Sequence, residues 1–309
     1  MTNVTTSRGR LIMAVTSVLA GLFMMLAVPY LATQTLNEAL HSLVEVFQVK
    51  YPDGVWDTPV PILTYGYNIW IGLMFFGGAA LLILAKYIWQ GEKWARPAAL
   101  GILSMPSIGG LTMTVPWLVL VTGIGKPGMA PALYIMTVGL IAYYIMLLTE
   151  KADWKTKTTQ IVVFSMIGLV GGFITMNAQH GVRYFLGRSS YPFLEANESN
   201  PELFLGGFVL FTATMLFPLA IGLLAARKRN GWHLALLASL VTFASQFITY
   251  LDRLAATSSG ESAEWLKGSL MSLALLIILL IPFFKNRLFD QPTDDSEALK
   301  AAGTQKVHI

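Results

Sequence analysis

Asn177, His180 and Arg183 recur at intervals of three residues, with Thr175 and Gln179 between and beside them. On a helix such spacing gathers side chains near one face. An amide, an imidazole and a guanidinium so arranged suit an anionic or quinone-like head group, His180 donating a hydrogen bond and Arg183 supplying charge. The same residues equally suit a helix end whose polar groups bond to loop backbone, because every helix end leaves backbone groups to be satisfied. His41 is the other histidine on this side of the chain. A shared metal or haem site would need His41 and His180 at one point.

A second stretch with chemical potential is Pro106-Ser-Ile-Gly-Gly-Leu-Thr-Met-Thr-Val-Pro116. Each proline removes a backbone donor and crowds the carbonyl four residues earlier. In lipid those carbonyls must find protein, hydroxyl or water partners. The stretch therefore predicts a kinked or partly unwound helix, with Ser107, Gly109, Gly110, Thr112 and Thr114 lining a cavity, as broken helices do in transporters. The plainer expectation is a kinked helix packed in a bundle, since Gly and Pro are common in membrane helices.

Other chemistry is excluded. Cysteine is absent, which removes disulfides, thiolate metal sites and cysteine nucleophiles. No Ser–His–Asp order, phosphate loop, metalloprotease motif or dinucleotide fingerprint occurs. No Asp, Glu, Lys or Arg falls near the middle of a predicted span, although proton and cation pathways through membranes usually use buried ionisable groups. The seventh span carries Ser239, Thr242, Ser245, Gln246 and Tyr250, groups that read first as interhelical glue. No catalytic residue, metal or cofactor is predicted.

The elements that must position these residues are membrane helices. Apolar residues make up 55% of the chain and charged residues 12%, with mean hydropathy +0.60; a soluble domain carries about 25% charge. The expected fold is an all-α polytopic membrane protein. Eight segments reach the roughly 20 residues needed to span: 10–33, 64–89, 95–123, 128–149, 159–181, 203–226, 231–251 and 267–285. Six of the 21 basic residues, Lys50, Lys126, Arg183, Arg188, Arg253 and Lys267, fall on one side, leaving fifteen with the N-terminus. That bias predicts both termini in the cytoplasm and a place in the cell membrane. Trp70, Trp89, Trp94, Trp117, Trp154, Trp232 and Trp265 fall near span ends, where an amphipathic ring prefers to sit. The net charge of +4 follows the membrane sides and implies no nucleic acid.

Between the first two spans, in the long outer segment 34–61, Leu36, Leu40, Leu43 and Phe47 recur at helical spacing among polar residues. They predict an amphipathic outer helix that lies in the interface, continues the first span toward a partner, or caps the protein's own helix ends. The second long outer segment is 181–201. Each half then consists of a span, a long outer segment and three closely connected spans, which divides the chain into 1–157, 158–286 and a disordered polar cytoplasmic tail, 287–309. The leading functional expectation is a non-catalytic membrane subunit or accessory component, with the bilayer and a protein partner in the membrane or on its outer side. The alternatives are a transporter or channel for a neutral or anionic small molecule, and a quinone- or haem-binding membrane enzyme subunit.

Overall fold

A computed structural model describes residues 6–52, 57–187, 202, 204–256 and 263–289. Every regular element among them is helical. Helix α1 spans Ser7–Ser42, α2 Pro59–Gln90, α3 Ala95–Val121, α4 Ala132–Leu148, α5 Trp154–Gly187, α6 Leu210–Ala225, α7 Arg229–Ala256, α8 Ala263–Leu280 and α9 Pro282–Phe289. Seven of these helical stretches are long and apolar enough to cross a membrane. The fourth predicted span is shorter than expected, with 17 residues in α4, or about 26 Å against a hydrocarbon core of about 30 Å. Gly125 and Gly128 adopt positive φ, and Pro127 and Pro131 bracket the same stretch, so helical winding begins only after Pro131.

Thr6 starts α1 by accepting a hydrogen bond from the Gly9 N–H at 3.0 Å, which satisfies one orphan donor of the first turn. The helix then runs well beyond the roughly 20 residues that a span needs. A π-helical turn at Leu43–Phe47 and a last turn at Gln48–Lys50 make it continuous over 44 residues. The amphipathic outer helix is thus the same rod as the first span. Its Leu36, Ala39 and Leu43 are buried. Glu38 accepts from the Trp117 indole at 2.7 Å, and Thr35 accepts from the Ala132 N–H at 2.9 Å. The extension therefore stands over the chain's own α3–α4 connection.

Small residues set the closest approaches, as expected where lipid offers helices no hydrophobic drive to associate. A Cβ on Gly78 would lie 2.7 Å from the Gly21 carbonyl, so α1 and α2 touch backbone to backbone. Helix α3 is central and packs against α1, α2, α4, α5 and α6, across the proposed division at residue 157.

Of the two expectations for the Pro106–Pro116 stretch, the unwound helix is corrected: α3 is continuous from Ala95 to Val121 with both prolines inside it, packed in the bundle. Hydroxyls back-bonded onto the helix flank both prolines. Ser104 donates to Gly101 O, Thr112 to Ile108 O and Thr114 to Gly110 O. Tyr67 from α2 donates to Met113 O at 2.6 Å.

The predicted tail is also corrected at its start. Residues through Phe289 are helical, Leu288 is buried, and Arg287 reaches Asp153 at 3.3 Å. The remainder of the tail, 290–309, and most of the second outer segment, 188–201, lie outside the described residues.

Candidate functional site

Three helices, α5, α7 and α8, build the polar network at the end of the bundle that holds His180. Asn177 donates through Nδ2 to Gln246 Oε1 at 2.6 Å and to the Glu264 carbonyl at 3.1 Å. Gln246 donates in turn to Thr242 O and Ser272 Oγ. Asn177, Gln246 and Ser272 are fully buried. Gly268 makes this approach possible, since a Cβ there would collide with the Gln246 amide. His180 Nδ1 sits 3.3 Å from Glu264 Oε2.

The structure thus brings Asn177 and His180 together through Glu264, a residue that sequence spacing did not single out because it belongs to another helix. Gln179 turns elsewhere and packs against Gly66 of α2. Both its amide atoms, and Asn177 Oδ1, lack a hydrogen-bond partner among the described residues. Arg183 is half-buried one turn beyond His180. His41 pairs with Glu45 of its own helix at 2.9 Å, so His41 and His180 each have their own carboxylate.

The five residues predicted to line a cavity in α3 divide. Ser107 borders a cavity of 130 Å³ between α3, α4 and α5, with Tyr143, Tyr144 and Ser165 also on its wall. Tyr144 and Ser165 hydrogen-bond to each other. The cavity is below the roughly 300 Å³ at which small-molecule sites begin. Gly109 and Gly110 are contact points: a Cβ would lie 2.7 Å from the Trp70 ring on the first and 2.6 Å from the Met136 backbone nitrogen on the second. Thr112 also donates to the Gly172 carbonyl of α5 at 3.3 Å, and Thr114 is spent on its own helix.

Sequence reading missed the strongest electrostatic feature. Glu150, buried just past α4, accepts from Arg96 Nη2 at 3.0 Å, Arg227 Nη2 at 3.1 Å and Gln160 Nε2 at 3.2 Å. Arg96 also donates to the carbonyls of Met146 and Leu147, which closes the C-terminal end of α4. Burial alone would push the Glu150 carboxyl up; Arg96 and Arg227, with hydrogen bonds from Arg227 and Gln160, outweigh it and hold the group below the usual carboxylate range. Arg227 adopts φ 57°, a conformation costing a side chain about 1–2 kcal/mol. Glycine would fit that backbone better, so the guanidinium's contact is what the position requires. The available signal was a single acid at a span end amid basic loops.

Chemically, these sites cross-link helices. Among the described residues no three His, Asp or Glu side chains converge as a metal site, and the buried carboxylate is already neutralised. The fold defines the class: an all-helical, multi-pass membrane protein whose apolar helices meet the lipid bilayer. No family model, curated protein or solved structure compared with the chain matches it.

Proposed function

We propose that the chain is a non-catalytic component of a larger membrane assembly, crossing the cell membrane eight times with both termini in the cytoplasm. The observation that carries this reading is the use made of its interior polar groups. Asn177, Gln246, Glu150 and Arg96 are engaged in bonds between helices or helix ends, and hydrogen bonds buried in this way specify packing. Purification in mild detergent tests the reading. A stoichiometric second protein is expected to accompany the chain, and a monodisperse preparation of this chain alone would overturn it.

Transport of a neutral or anionic small molecule is the second reading, and the cavity beside Ser107 is its support. It is the weaker of the two because α3 is continuous and Gly109 and Gly110 are filled by their neighbours. A quinone- or haem-binding role finds less support still, since His41 and His180 each engage a carboxylate on separate elements.

A further inference from the structure

At the end of the bundle that holds Arg96 and Arg227, an apolar cleft of 840 Å³ opens between α2, α3 and α6. Its floor is the crossing of α3 and α6, where a Cβ on Gly101 would lie 3.0 Å from the Pro218 carbonyl. Leu73, Ile102, Met105, Met215 and Leu219 form the walls, and Trp70 closes the deep end. The wall of α3 from Pro97 to Met105 runs about 12 Å, and that of α6 from Met215 to Ala226 about 17 Å. Those lengths match one leaflet, half of a hydrocarbon core of about 30 Å.

The mouth is charged. Lys93 and Lys228 both border it, from the α2–α3 and α6–α7 connections, with Trp94 beside them. Both lysines are exposed, and no carboxylate among the described residues pairs with either. Glu92, although adjacent in sequence, does not border the cleft. An apolar slot one leaflet deep, with two ammonium groups and an indole at its rim, is complementary to an acyl chain below an anionic head group. Basic pockets between membrane helices bind such head groups, and Trp prefers their depth.

We infer that this cleft holds one anionic phospholipid, its acyl chain lying along Gly101 and Met105 toward Trp70 and its phosphate between Lys93 and Lys228. The two cations at the mouth favour this occupant over a neutral amphiphile such as a quinone, for which the deep end offers only the unpartnered indole N–H of Trp70. The inference is independent of whether the chain has a protein partner.

Native mass spectrometry of the purified full chain tests it, with phosphatidylglycerol or phosphatidylcholine of identical chains titrated in. One phosphatidylglycerol is expected to be retained with a preference of about thirtyfold, as two lysines near a head group imply. Lys93→Gln with Lys228→Gln should abolish that preference. Both positions are exposed, so the double variant keeps the wild-type melting temperature. Ala98→Phe, which fills the slot, should lower retention of both lipids. Equal retention of the two lipids by the wild type, the sign of a neutral occupant or of bulk lipid, would overturn the inference. So would an undiminished preference in the double lysine variant.

Discussion

Glu150 and Arg227 meet at 3.1 Å although 77 residues separate them in the chain. The contact ties the α6–α7 turn to the end of α4, and Arg96 joins both to the start of α3. Glu150→Gln keeps the shape and removes the charge that Arg96 and Arg227 share. Breaking a buried pair from one side costs on the order of 3–5 kcal/mol. The variant should therefore melt well below the wild type in the same detergent. A difference of less than about 2 °C would show that the contact does not hold the bundle together.

The same carboxylate makes stability depend on pH. Its folded-state pKa lies below the ordinary value, so the native state favours the charged form. The stability it contributes is fully present above the unfolded value, near 4.3, and is lost as pH falls through the depressed folded value. Asp153 shifts the same way, mainly through its hydrogen bonds with Thr156 and also through Arg287. Melting temperature should be flat from about pH 7 to 5 and fall below that range. Glu150→Gln should flatten the acid limb, and an equally steep limb in that variant would assign it to other groups.

The positions of the helices were legible in the sequence because the bilayer imposes a length and a composition that short windows reveal. Two stretches differ in winding or extent from what their composition suggested. Pro106 and Pro116 suggested unwinding, but α3 stays wound through both, with Tyr67 of α2 donating to Met113 O beside the second. Residues 128–149 counted as a full span, yet positive φ at Gly128 and the turn that presents Glu150 to Arg96 trim both ends. In the candidate site, spacing grouped Asn177 with His180 on one helix. It could not supply Glu264 and Ser272, which arrive from α8.

Glycines separate packing from transport. A Cβ at Gly110 would lie 2.6 Å from the Met136 backbone nitrogen, whereas one at Gly72 would meet nothing within 4 Å. Rigid backbone cannot yield as a side-chain tip can, so Gly110→Ala should part α3 from α4 and cost about 1–3 kcal/mol. Gly72→Ala should be neutral or stabilising by up to about 1 kcal/mol, through helix propensity alone. Melting curves of both variants check this. Equal stabilities would mean that the contact at Gly110 relaxes without cost, returning that position to the list of cavity candidates.

Topology has a clean assay because the chain contains no cysteine. Glu92→Cys and Lys126→Cys sit in exposed connections at opposite ends of α3. In intact cells a membrane-impermeant maleimide should label Lys126→Cys alone, with Glu92→Cys reacting only after permeabilisation. The reverse pattern would place the N-terminus outside, and with eight crossings the C-terminus too, against the basic bias.

The amide pair Asn177–Gln246 gives the sharpest test of the network around His180. Asn177 Nδ2 donates to Gln246 Oε1 at 2.6 Å, both residues are fully buried, and the bond joins α5 to α7. Asn177→Ala leaves the Gln246 carbonyl oxygen without its donor in a dry site, a loss of about 1–3 kcal/mol. Gln246→Ala strands the Asn177 amide in the same way, although Asn177 keeps its bond to the Glu264 carbonyl. If the pair acts as a helix cross-link, the double variant should be less destabilised than the two single losses added together. Interhelical bonds in membranes give couplings averaging about 0.6 kcal/mol and reaching about 1.7; the short distance and complete burial place this pair toward the upper end. Unfolding of all four proteins in one detergent–denaturant series measures the cycle. Strict additivity would show that the amides are energetically independent, and Asn177 would then be better understood as a group held ready for a ligand.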